Sequence, residues 1–197
     1  MKTKNMDLSN KENVKMIVDG CIRGDRNSQQ LLYKATYGKM LGMCMRYAKD
    51  MDEAKDFLHD GFMKVFEKVK YFKQTGSFEG WIRRIIVNNT IDSIRKKKKM
   101  QFNSDSDYTL INLTDNAQND IDKLNQVNLN AARLIELIQD LSPAYKMVFN
   151  LYVIEEYPHK EIAEMLNISI GTSKSNLAKA KMKLKDLYIA KYGNINE

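Results

Sequence analysis

The sequence predicts an all-α protein built from two small helical domains joined by a flexible linker. Three observations lead there. Only two prolines and nine glycines punctuate 197 residues, so long stretches are free to stay helical. Apolar residues recur at three-and-four spacing, and no segment alternates as a half-buried strand would. Between two such regions, residues 100–121 are poor in apolar side chains and rich in Asn, Asp and Ser. That composition buries too little surface to offset its ordering entropy.

After a polar arm over residues 1–11, residues 14–22 read as a short helix stopped by Gly24, and residues 28–48 as a long one rich in Leu, Tyr and Met. Residues 52–69, DEAKDFLHDGFMKVFEKV, carry the stripe Ala54, Leu58, Phe62, Val65 and Val69, with Asp50 or Asp52 as cap. The loop YFKQTG leads into GSFEGWIRRIIVNNTIDSIRKKKK, capped by Ser77. These elements make a first domain over 12–99. Helical periodicity resumes at 122–139, and LSPAYKMVFNLYVIEEY forms another helix with Ser142 as cap and Pro143 in its first turn. Two shorter helices complete a four-helix C-terminal domain over 122–191, followed by a tail at 192–197.

The 32 basic and 25 acidic residues leave a net charge of +7, which favours a polyanionic partner. The distribution is sharper than the sum. Residues 77–99 hold seven basic side chains against Glu79 and Asp92, and residues 169–185 hold five lysines and no acid. Residues 100–122 hold five aspartates and no base.

Several classes are excluded. No run approaches the roughly 18 apolar residues of a membrane span, and the N-terminus lacks the apolar core of a secretory signal. Cys21 and Cys44 belong to no metal-spaced cluster, which fits a reduced cytoplasm. There is no Gly-rich phosphate loop with lysine, no nucleophile beside a base and no metal quartet, and His59 and His159 fall in different domains. No catalytic residue, metal, cofactor or small-molecule substrate is therefore expected.

In PHKEIAEMLNISIGTSKSNLAKAKMKL a helix begins at Pro158, breaks at Leu166, Asn167 and Ile168, and gives way to a second helix capped by Ser169. Ile162, Ala163, Leu166 and Ile168 pack across the turn, and Asn167 takes the left-handed backbone a tight turn needs. Ile170, Ser173, Leu177, Ala180 and Leu184 form the buried face of the second helix, with Ser173 standing where an aliphatic residue is expected. This is a helix-turn-helix pattern. In such motifs the start of the second helix meets base edges in the major groove. Thr172, Ser175 and Asn176 are small enough to admit it and offer hydrogen bonds, and Lys174 suits guanine. Lys179, Lys181 and Lys183 suit phosphates.

In the first domain, Trp81, Ile85, Asn88, Asp92 and Arg95 share one helical side, with Tyr71, Phe72 and Phe78 just upstream and lysines beyond. Aromatic faces stack on unpaired bases while cations hold the backbone, so this combination reads as single-strand capture.

Taken together, DEAKDFLHDGFMKVFEKV, FEGWIRRIIVNNTIDSIRKKKK and LSPAYKMVFNLYVIEEYPHKEIAEMLNISIGTSKSNLAKAKMKL resemble the bacterial sigma factors of the extracytoplasmic-function group, the small two-domain class. The resemblance covers most of the chain outside the arm, the linker and the tail. It implies that the chain partners core RNA polymerase and promoter DNA, both as duplex and as melted non-template strand, together with an inhibitory anti-sigma factor at the membrane.

The same resemblance assigns residues. Asp56, His59, Asp60 and Met63 would contact the polymerase clamp helices, with His59 in place of the family's usual glutamine and Gly61 in place of a larger residue. The loop Tyr71 to Gly76 would capture a flipped base of the minus ten element, with Phe72 lining the pocket, Lys73 and Gln74 reading or holding the base and Asn88 reading the neighbouring base. Trp81, Arg83 and Arg84 would hold the junction where the strands part. Lys174, Ser175, Asn176 and Lys179 match the minus thirty-five reading positions, where Asn176 replaces a frequent arginine and would favour adenine. Two other functions stay open on the residues alone: a helix-turn-helix operator-binding regulator that needs no polymerase, and a helical adaptor whose basic faces meet acidic proteins or a membrane surface.

Overall fold

The computed structural model describes residues 7–102 and 127–193, with side chains over 7–97 and 133–193. The expected linker lies almost wholly outside these residues. Every regular element among them is helical. The chain divides into two units, Met1–Ser104 and Asp105–Glu197.

In the first unit, α1 (Lys11–Ile22) starts three residues earlier than its apolar pattern suggests, because Asn10 caps it: Oδ1 accepts from the Glu12 and Asn13 amides at 2.8 and 3.3 Å. Gly24, at φ +75°, makes the turn that ends it. Asp25 caps α2 (Arg26–Met45), accepting from the Ser28 amide at 3.0 Å and the Ser28 hydroxyl at 2.6 Å. Asp50 caps α3 (Met51–Lys68), taking the Glu53 amide at 2.7 Å, while Glu53 reaches back to the Lys49 amide at 2.8 Å. All five residues of the α3 stripe are buried, none more than 2% exposed. A 3-10 turn, Val69–Tyr71, leads to the loop.

Ser77 caps α4 (Phe78–Phe102) at the Gly80 amide, 3.1 Å, and the helix runs past residue 99, where the linker was expected to begin. Helices α3 and α4 approach closely at Gly61, where a Cβ would lie 2.7 Å from Ile86 Cγ2. Farther along, Lys97 crosses back to α3: its Nζ lies 2.7 Å from Glu53 Oε1 and 5.3 Å from the Phe57 ring centroid. This lysine, more than half exposed, pairs with α3 across the surface.

The second unit contains α5 (Val127–Gln139), α6 (Pro143–Phe149), a π-helical turn (Asn150–Ile154), α7 (His159–Leu166) and α8 (Ile170–Tyr192). Four expectations need correction. Ser142 occupies the cap position of α6, but its side chain accepts no capping bond; Pro143 does sit in the first turn. The helix expected to run through residue 157 widens at Asn150 and closes with Glu155 N–H to Asn150 O and Tyr157 N–H to Leu151 O, each 2.9 Å. Glu156 then turns at φ +58°, and Pro158 disfavours helical backbone at residue 157. The last helix is not short. It spans 23 residues and stops at Gly193, φ +84°, and its last turn meets α5, with Lys191 Nζ 2.6 Å and Tyr192 OH 3.0 Å from the Glu136 carboxylate and Arg133 4.8 Å from the Tyr192 ring centroid. Ile170 is 45% exposed, so the buried face of α8 begins at Ser173 and continues through Leu177, Ala180 and Leu184.

Candidate functional site

The second unit holds a formed helix-turn-helix. Asn167 is left-handed at φ 53°, ψ 51°, and the turn closes with Ile168 N–H to Ala163 O at 3.0 Å. Ile162 and Ala163 are buried beneath it. Ser169 caps α8 by accepting the Thr172 amide at 2.9 Å, and its hydroxyl also meets the Thr172 hydroxyl at 2.9 Å. The exposed Thr172 hydroxyl thus also takes part in the cap.

Helical periodicity places the polar positions of α8 on both flanks of a crest opposite the buried face. Gly171, Ser175 and the exposed Met182 follow the crest. Thr172, Asn176, Lys179 and Lys183 run along one flank, with Asn176 half-buried; Lys174 and Lys181 run along the other, exposed. A helix with short polar residues at its leading end and cations on either side fits between the two walls of a groove.

Beneath this surface lies a contact the sequence did not disclose. Ser173 is fully buried, and its Oγ lies 2.9 Å from Nδ1 of His159, the first residue of α7. The His159 ring stacks on Tyr152 of the π turn, centroids 4.3 Å apart and planes 20° apart. Partial burial, and then the charge of Lys174, hold the imidazole below its usual value.

In the first unit, the loop after the 3-10 turn carries left-handed residues Gln74 and Gly76 at φ 56° and 79°. Phe72, Phe78 and Trp81 form one cluster, with Phe72 centroids 4.7 Å from Phe78 and 5.3 Å from Trp81. Phe72 is only 8% exposed, because the three rings bury one another. It is a wall of the loop and not an open stacking platform. Tyr71 is the exposed ring, 67% accessible, with Lys70 Nζ 5.1 Å from its centroid. Lys73 and Gln74 are exposed beside it.

Along α4 the helical period gathers the half-buried Trp81 with exposed Arg84, Asn88, Asp92 and Arg95 on one face. Arg83 does not join them. It falls about half a turn from that face, half-buried on the side of the fully buried Thr90.

The outer ridge of α3 presents Asp56, His59, Asp60 and Met63, all exposed at successive three-and-four steps, with Met63 56% accessible. Beside it opens a shallow groove of about 280 Å³ between α2 and α3, lined by Arg26, Gln29, Tyr33, His59 and Met63 among others. The α2 half of this groove was not singled out in the sequence, although the polar run from Arg26 to Gln30 marks it. No group of three or more His, Cys, Asp or Glu among the described residues could hold a metal ion. Cys21 and Cys44 are separate buried thiols, and burial pushes Cys21 up to about 11.

Comparison with known proteins divides the chain along the same two units. The family model for sigma-70 region 2 matches residues 32–100, and that for sigma-70 region 4 matches residues 131–184. The extracytoplasmic-function sigma factor SigW of Bacillus subtilis is 27% identical over 185 residues, covering 91% of this chain and 97% of that protein. The sigma-H factor of Pseudomonas aeruginosa is 25% identical over 177 residues, covering 86% and 91% respectively. Against the sigma factor SigE of Mycolicibacterium smegmatis the identity is 27% over 155 residues, 77% of this chain but 58% of the longer relative. Among solved structures, the sigma factor RpoE from Bartonella quintana, crystallised with the anti-sigma factor NepR, shares the fold with a TM-score of 0.53 at 17% identity over 82% of this chain and 97% of that one.

Proposed function

Since the chain belongs to the extracytoplasmic-function group of the sigma-70 family, non-catalytic subunits that dock on core RNA polymerase and direct transcription initiation, we propose that its two units read two promoter elements at once. Helix α8 enters the major groove of the farther, minus thirty-five element. Lys174, Ser175 and Asn176 face base edges, and Lys179, Lys181 and Lys183 meet the phosphates. In the first unit, the loop at residues 71–76 receives a flipped base of the minus ten element against Tyr71, with the buried Phe72 as the wall behind it. Lys73 and Gln74 border this base, Asn88 reads its neighbour, and Trp81 with Arg84 holds the fork. The ridge Asp56, His59, Asp60 and Met63 docks on the polymerase.

The mechanism is capture. Opening a base-pair step costs about 1.4 kcal/mol, and stacking one extruded base returns about 1–3 kcal/mol. A preformed aromatic loop can therefore hold an opened strand without nucleotide hydrolysis. We place the protein in the cytoplasm, where an anti-sigma factor at the membrane would compete for the same faces.

The observation that carries this reading is the uncovered, polar-tipped leading end of α8 on a formed helix-turn-helix, with its lysines on both flanks. An operator-binding regulator would use that end alone, whereas a sigma factor needs core polymerase. Gel shift of promoter duplex with and without core distinguishes them: retardation by the chain alone at equal affinity would contradict the proposal. Within the complex, Asn176→Ala is expected to relax selectivity at one base pair of the farther element by about 1–3 kcal/mol. Competition among single-substitution templates measures this, and unchanged ranking would refute the assignment. Asp60→Lys reverses a charge on the docking ridge and should weaken core association by about tenfold, an expected cost near 1.4 kcal/mol. Undiminished holoenzyme formation by titration would remove this ridge from the interface.

A further inference from the structure

A buried hydroxyl needs a hydrogen-bond partner, and Ser173, with no exposed surface, has one 14 residues away in Nδ1 of His159. That imidazole is itself held flat against Tyr152. Side chains thus join the π turn, the first residue of α7 and the second turn of α8. An aliphatic contact at residue 173 would fill space without fixing direction, whereas a hydrogen bond favours one orientation over others.

Orientation matters here because Ser173 lies between Thr172 and Lys174, immediately before Ser175 and Asn176. A roll of about 10° about the α8 axis carries side-chain tips, about 5–6 Å from that axis, through about 1 Å. Hydrogen bonds to base edges occupy a window of about half an ångström.

We propose that His159 is a positioning residue for duplex readout: through its hydrogen bond to Ser173 it fixes the roll of α8 in the groove without itself reading a base. The inference rests on the assignment of α8 as the helix that reads the farther element. It also accounts for the departure at residue 173, since serine there and histidine at 159 act as one pair.

The test uses holoenzyme assembled from core polymerase and the full chain, competing the farther element against its single-base variants. His159→Asn keeps a polar atom near the position of Nδ1, while His159→Gln places one nearer the position of Nε2. Discrimination should fall about two- to tenfold, the size typical of residues that act on a site without touching its ligand, in His159→Gln, His159→Ala and Ser173→Ala. His159→Asn should stay close to the unaltered protein. The double variant His159→Ala with Ser173→Ala should be no worse than the worse single one, as partners in one interaction behave.

Equal loss in His159→Asn and His159→Gln, additive loss in the double variant, or unchanged discrimination throughout would overturn the proposal. Should His159→Ala lose helix content by circular dichroism, the comparison of Asn with Gln decides alone. The reference set is Lys174→Ala, Ser175→Ala and Asn176→Ala. If none of these alters discrimination, the α8 assignment fails and the inference with it; if they do and His159→Gln does not, only the inference fails.

Discussion

Phe72→Ala is expected to destabilise the first helical unit by about 3–5 kcal/mol, the usual cost of truncating a buried phenylalanine. The ring is 8% exposed and sits 4.7 Å from Phe78 and 5.3 Å from Trp81, so its removal leaves a cavity shared by two other aromatic side chains. A unit of this size loses about 4–8 °C of midpoint per kcal/mol, which calorimetry of the full chain resolves easily. Promoter opening should fail as well, because the wall behind the captured base and the support of Trp81 are lost together. An unchanged melting transition with opening abolished would mean that the ring works as an exposed platform, against the packing described above.

Gly61→Leu should be nearly as damaging. A Cβ at this position would lie 2.7, 2.9 and 3.1 Å from the Cγ2, Cγ1 and Cβ atoms of Ile86, and a leucine adds three more carbons beyond it. Overpacking a core costs about 1–3 kcal/mol, and a glycine pressed by a branched side chain belongs at or above the top of that range. Urea denaturation should show a lower midpoint. Core association should weaken in parallel, since Asp60 and Met63 ride on the same helix as Gly61. Adding Ile86→Ala opens space and should restore part of the loss. A midpoint matching the unaltered protein would show that α3 and α4 can separate freely at this crossing.

What the sequence disclosed, and what it hid, follows from the range of the interactions. The α3 stripe, the left-handed Asn167 and the Ser169 cap are set by neighbours within a turn or two, and all were legible. Cap choice was less so: Asp25 and Ser28 are both good caps, and only the geometry shows that Asp25 starts α2 while Ser28 joins it from inside. The widened turn at Asn150 has no signature in hydrophobic spacing. The last turn of α8 meets Glu136, 55 residues from Lys191 in sequence, a contact no local pattern announces.

The candidate site divides in the same way. Exposed positions on α3 and α8 follow from the helical period, and that period also separates Arg83 from Arg84, a distinction that charge alone conceals. Phe72 was the harder residue, because an aromatic side chain in a loop can face solvent or its neighbours, and two rings that follow within nine positions decide it. Pairings such as Gly61 with Ile86 and Ser173 with His159 join separate helices, so each looked like an isolated departure until its partner was in view.

The most direct measurement is transcription by core polymerase over a randomised promoter library, with and without the protein, reading start sites and the template sequences that support them. The account predicts that adding the protein enriches templates carrying two elements at a fixed separation, and that start sites align downstream of the nearer one. A start-site distribution identical with and without the protein would contradict it.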